Sequence, residues 1–126
     1  MIDHLDHLVI TTAHLDECID FYTRVLGMKL EEFAGGRLAL KFGEQKFNLH
    51  VKGKEFEPKA THPVPGALDF CLIAAIPLDR VIARLGELGV TVIEGPVAKT
   101  GAVHPLRSVY IRDPDGNLVE ISERAG

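Results

Sequence analysis

The sequence predicts an α+β fold: two βαβββ repeats forming a curved, cup-shaped mixed β-sheet with helices outside. Three observations predict it. Short stretches with polar and apolar residues in alternation dominate the chain, two longer stretches carry apolar residues at helical spacing, and the whole pattern occurs twice. The expected organisation is one domain over 1–126, with repeat one at about 3–52, a linker at 53–66 and repeat two at 67–123.

Residues 4–12, HLDHLVITT, set Leu8 and Ile10 on one side and Leu5, His7, Val9 and Thr11 on the other, which reads as a strand with one histidine on its second face. From Leu15 to Leu26, Leu15, Ile19, Phe21, Tyr22, Val25 and Leu26 recur at helical spacing, and Gly27 follows as a residue able to take the left-handed conformation. Residues 28–33 and 37–42 read as strands around a Gly35-Gly36 turn. Gly43-Glu44 then turns into QKFNLHV, where Phe47, Leu49 and Val51 oppose Asn48 and His50. Residues 53–66 hold three of the seven prolines and no periodicity, so they read as a linker or lid.

ALDFCLIA, residues 67–74, is an apolar strand interrupted by Asp69. Pro77 suits the first turn of a helix through Leu78, Val81, Ile82, Leu85 and Leu88 that stops at Gly89. Residues 90–93 are expected to be a short strand and 95–105 a Gly/Pro loop. A hairpin closes the chain: Val109, Ile111, Val119 and Ile121 share one face, Ser108, Tyr110 and Glu120 the other, around the turn Asp113-Pro114-Asp115-Gly116-Asn117.

The repeat is metrical. His7 to Gly27 spans 27 − 7 = 20 residues and Asp69 to Gly89 spans 89 − 69 = 20, so a shift of 89 − 27 = 62 lays one half on the other. Counted back from the end of each hairpin, Glu120 falls opposite Asn48, with His50 on the same face. Each half thus puts polar, ligand-capable side chains on an otherwise apolar sheet: His7 with Asn48 and His50, Asp69 with Glu120.

A mid-strand carboxylate is disfavoured unless it is solvated, paired or metal-bound. If all these groups face inward, histidine nitrogens and carboxylate oxygens suit Fe(II), Mn(II), Ni(II), Co(II) or Zn(II). Ser108 and Tyr110 stand beside Glu120 as candidate substrate ligands, and Arg107 and Lys99 are expected at the mouth, where they could attract an anion.

The remaining composition narrows the classes. A net charge of −4 and a pI near 5.8, with no Lys/Arg run, argue against nucleic acid as partner. No signal-like segment or membrane-length apolar run is present, so a cytoplasmic location is expected. Cys18 and Cys71 form no CxxC pair and read as small buried hydrophobes, His4, His14, His62 and His104 as surface residues, and Asp113 and Asp115 as turn formers.

The DHLVITT opening, the helix DECIDFYTRVLGM and the closing YIRDPDGNLVEIS together resemble the vicinal oxygen chelate superfamily, which includes glyoxalase I, fosfomycin and bleomycin resistance proteins and extradiol dioxygenases. The resemblance covers essentially the whole chain, and FNLH followed by EFEPKA resembles a glyoxalase-domain subgroup. It implies metal ligands on strands one, four, five and eight. His7 and Glu120 match the first and last of these, Asp69 stands where histidine is usual, and the strand-four slot falls on Asn48 or His50, histidine being the better ligand. It further implies a divalent metal ion, a small-molecule substrate held by two oxygens, and a homodimer. Lyase or isomerase chemistry is expected, with Glu120 or Asp69 moving a proton. An Fe(II) ring-cleaving dioxygenase and a metal-free binding protein are the alternatives.

Overall fold

The computed structural model describes residues 1–126. The strands form two four-stranded mixed sheets, and the chain divides into two compact units: residues 1–67 with 114–116, and residues 68–113 with 117–126.

Unit one contains β1 (His7–Thr12), α1 (Leu15–Asp20), β2 (Lys29–Phe33), β3 (Arg37–Phe42) and β4 (Gln45–Val51), with the sheet order β1-β4-β3-β2. β1 runs parallel to β4, and the other pairs are antiparallel. Asp16 and Glu17 place negative charge in the first turn of α1, where the helix dipole favours it. The helix continues as a π-helical turn over Phe21–Val25, and Gly27 ends it at φ 75° with its N–H donating to Thr23 O at 3.0 Å. Tyr22, fully buried, meets Phe47 of β4 edge-on at 5.9 Å, so Phe47 lies on the helix-facing side of the sheet. The Asp115 carboxylate accepts from Thr12 Oγ1 and, at 2.9 Å, from the Ala13 N–H, fixing the exit from β1.

Unit two repeats the plan with β5 (Asp69–Ile73), α2 (Leu78–Glu87), β6 (Glu94–Thr100), β7 (Pro105–Arg112) and β8 (Leu118–Arg124), in the order β5-β8-β7-β6. Again the first strand runs parallel to the last. Leu78 and Leu85 of α2 are buried, as are Val109, Ile111, Val119 and Ile121 on one face of the β7/β8 pair. Gly89 closes α2 at φ 72°, with Val90 N–H to Leu85 O at 2.9 Å and Gly89 N–H to Gly86 O at 3.2 Å. At the other end of α2, the Leu78 N–H donates to the Glu123 carboxylate at 2.7 Å.

Two expectations need correction. Residues 90–93 are not a strand; the strand is β6, Glu94–Thr100, inside the stretch expected to be a loop. It is an edge strand, where a proline is tolerated, and its pairing with β7 is irregular between Glu94 and Val97. Cys71 is not buried: Cys18 is, but Cys71 is exposed on β5, the outer strand of its sheet. Gly27, Gly89, the turn at Gly35-Gly36 and the bounds of β3 and β4 stand as expected.

Candidate functional site

In unit one the parallel register sets His7 beside Lys46, Val9 beside Asn48 and Thr11 beside His50. Side chains two apart share a face, so His7, Asn48 and His50 stand on the face opposite Phe47 and Leu49. His7 is exposed, with Nδ1 2.8 Å from the Asp6 carboxylate. Asn48 and His50 are 6% and 3% exposed, and Asn48 Oδ1 and His50 Nε2 have no hydrogen-bond partner. Burial, and then the charge of Arg37, hold the His50 imidazole below its ordinary pKa, so it is neutral at pH 7.

His7 and His50 lie four rungs apart along the paired strands, about 13 Å. Two imidazoles at that separation on one face do not meet on a single ion, whose bonds to nitrogen are about 2 Å. By register Asn48 is the counterpart of Glu120, because it stands beside Val9 as Glu120 stands beside Cys71.

Four further residues, which the sequence reading left out, gather on or over this face: Arg37, Phe33, Phe56 and Lys46. Arg37 lies over the rings of Phe33, at 5.3 Å, and Phe56, at 4.7 Å. Phe56, from the linker, meets the His50 ring at 5.7 Å, and Lys46 Nζ sits 4.0 Å from the Phe33 centroid. Strand alternation could have placed Arg37 and Phe33 on this face. Nothing in the aperiodic linker could have singled out Phe56.

In unit two the antiparallel register pairs Tyr110 with Glu120 and Ser108 with Ser122. Ser108 Oγ donates to Glu120 Oε2 at 2.7 Å, Ser122 Oγ donates to the same oxygen at 3.2 Å, and the two hydroxyls are 2.6 Å apart. Cys71 Sγ lies 3.2 Å from Ser122 Oγ. Burial first, then the Glu120 charge, push the Tyr110 phenol up to about 12. Cys71 is exposed as a residue, yet its sulfur is partly desolvated beside Ser122, and this raises the thiol; the Ser122 hydrogen bond lowers it and the Glu120 charge raises it further.

Asp69, beside Leu118, is exposed, one step along this face from the Cys71–Glu120 rung. Lys99 Nζ lies 5.4 Å from the Tyr110 centroid and 4.0 Å from Glu94. Arg107 sits on the other face, where it meets Asp79 of α2 at 3.1 Å and Glu123 at 3.4 Å. Ser108, Tyr110 and Glu120 are therefore brought together, Asp69 stands nearby, and Arg107 is turned away. Ser122 and Cys71 complete the cluster; they were legible as the residues two beyond Glu120 and Asp69. His4, His14, His62 and His104 are all exposed, and Asp113 accepts from the N–H and Nδ2 of Asn117 within the turn. Within neither unit do three His, Cys, Asp or Glu side chains converge as a metal-holding group.

A βαβββ unit used twice defines the fold class. The chain belongs to the Glyoxalase/Bleomycin resistance protein/Dioxygenase superfamily, whose model matches residues 4–121. It is 56% identical over 118 residues to the glyoxalase domain-containing protein RDO1 of Mycosarcoma maydis, covering 94% of this chain and 66% of that one, so it spans just under two thirds of that relative. It is 48% identical over 123 residues to virulence protein STM3117 of Salmonella typhimurium, covering 98% of this chain and 85% of that protein. The crystal structure of STM3117 superposes with a TM-score of 0.97, at 47% identity and 99% coverage of both chains. Lactoylglutathione lyase GLX1 of Arabidopsis thaliana is more distant, 27% identical over 128 residues, covering 94% of this chain and 43% of that one. No helix is long and apolar enough to cross a membrane.

Proposed function

We propose that the chain is a divalent-metal-dependent enzyme that takes a small, oxygen-rich substrate by two of its oxygens and performs lyase or isomerase chemistry of the lactoylglutathione lyase kind. The observation that carries this reading is Glu120, a half-buried strand carboxylate whose hydrogen-bond partners are the hydroxyls of Ser108 and Ser122. Tyr110 and Cys71 both respond to its charge. Both hydroxyls donate to Oε2, and each carboxylate oxygen offers two lone pairs, so Glu120 keeps acceptor capacity at Oε1 for a cation or a proton.

That donor set fits a hard or borderline dication. The residues proposed to hold it are Asp69 and Glu120, on one face of the unit-two sheet. Bound there, a divalent ion supplies a Lewis acid for the substrate oxygens. Glu120, steadied by two serine hydroxyls, takes a proton from substrate carbon and returns it, with Asp69 as the second carboxylate able to do so. Ser108 holds Glu120 in place. Tyr110, protonated throughout the neutral range, can donate to a substrate oxygen. GLX1 supports the lyase assignment by its name, and the unpaired edge strands of both sheets make a homodimer the expected assembly.

Elemental analysis of the purified chain, with Asp69→Asn and Glu120→Gln alongside, tests the proposal. A single divalent ion per chain, lost in both variants, is the expected result. Retention of iron alone would move the reading to a ring-cleaving dioxygenase. Failure to bind any of Fe(II), Mn(II), Ni(II), Co(II) or Zn(II) on titration would sink the metal reading and leave a small-molecule binding protein.

A further inference from the structure

We propose that unit one carries a binding site of its own for a small 2-hydroxy acid, built from Arg37, Asn48 and His50 and walled by Phe33 and Phe56. The site lies wholly within unit one and does not rest on the metal reading.

Buried polar groups are nearly always hydrogen-bonded, and one left unpaired costs stability. Here two such atoms occur on adjacent same-face positions of β4: Asn48 Oδ1, a pure acceptor, and His50 Nε2. Neither has a partner inside the protein, and both residues are more than nine-tenths buried. A ligand that pairs both removes a cost that unit one otherwise carries alone.

Arg37 supplies the charge. It follows the β3/β4 register one step beyond Leu38 and Leu49, beside His50. Its guanidinium carbon lies over the Phe33 and Phe56 rings, contacts that leave its N–H donors for a planar anion. The acidic residues of the adjoining linker, Glu55 and Glu57, reach His50 electrostatically, but Lys59 offsets their charge, 3.9 Å from Glu55 and 3.3 Å from Glu57, and Glu55 also accepts the Gly53 N–H at 3.0 Å.

The three groups specify a ligand. A carboxylate accepts from the Arg37 fork and from His50 Nε2–H, available because the imidazole is neutral and can carry its proton there. A hydroxyl on the neighbouring carbon donates to Asn48 Oδ1. A simple carboxylate leaves Asn48 unpaired, and a neutral hydroxy amide forfeits the attraction of Arg37. Phe56, 44% exposed and on the linker, is the wall able to move as the ligand enters.

Calorimetric titration of the full chain in a chelating buffer, so that metal-bound lactate makes no contribution, tests the assignment with three probes. Lactate carries both features, propionate lacks the hydroxyl, and lactamide lacks the charge. Saturable lactate binding is expected, with both other probes weaker by about tenfold, the effect of one unmade buried hydrogen bond or charge pair. Arg37→Lys, which keeps the charge without the fork, should weaken lactate by a similar factor. Asn48→Leu should abolish the preference for lactate over propionate. Absence of saturable lactate binding, equal binding of lactate and propionate, or an unchanged preference in Asn48→Leu would each overturn the site. If Asn48→Leu does not fold, the wild-type preference and the Arg37→Lys result decide.

Discussion

His50 is a histidine that the fold keeps uncharged. Its pKa in the folded chain lies below the ordinary value because burial, and then Arg37, disfavour the imidazolium. The unfolded chain therefore binds this proton at a higher pH than the folded one. The His50 contribution to stability is complete above the ordinary histidine pKa and declines as pH falls below it, until the folded pKa is reached. Urea unfolding between about pH 8 and pH 5 should show a steeper loss of stability in the wild-type chain than in His50→Gln. Parallel curves would mean that the residue titrates alike folded and unfolded. At this scale much was legible: the period of two put Ser108, Tyr110 and Glu120 on one face, where the hydrogen bonds now join them. Arg107 was expected at the mouth, but the same period puts it on the opposite face, where it pairs with Asp79 and Glu123. Cys71 misled because an apolar strand reads as buried, and whether its outer side is covered is a tertiary fact.

Elements show a second kind of limit. The ends of α2 have separate physical causes: Gly89 accepts a left-handed turn at the C-terminus, whereas Glu123, far along the chain, accepts the Leu78 N–H at the start. Glu123→Ala removes that acceptor and one partner of Arg107. A loss of about 1 kcal/mol is expected, a fall of about 4 °C in melting temperature, with helix content retained in far-UV circular dichroism. An unchanged melting temperature would show that water replaces the carboxylate at no cost. β6 was the illegible element. Glu94-Gly95-Pro96 has poor strand propensity, and only pairing with β7 makes it a strand. Gly95 shows how close that pairing is: its φ is +105°, and a Cβ would lie 2.4 Å from Ser108 O. Gly95→Ala should destabilise by about 2 kcal/mol, read as a shifted urea midpoint, since both conformation and space exclude the methyl. Ser108 is also the residue that holds Glu120, so any activity should fall with it.

The whole molecule was the most legible level, because it is written twice. The 20-residue interval from β1 to the helix-ending glycine recurs in the second half, and so does the strand order, with first and last strands parallel in each sheet. What repetition hides is where the halves have diverged. Asn48 and Glu120 occupy equivalent rungs, yet one is an unpaired amide and the other a hydroxyl-held carboxylate. Register identifies them as counterparts. Only side-chain surroundings tell their chemistry apart.

Unit one is also not a contiguous piece of chain, because residues 114–116 belong with it and Asp115 accepts the Ala13 N–H. During synthesis the first 67 residues leave the ribosome well before that carboxylate exists. The N-terminal half must therefore wait, with the end of β1 uncapped, until the turn that carries Asp115 has been made.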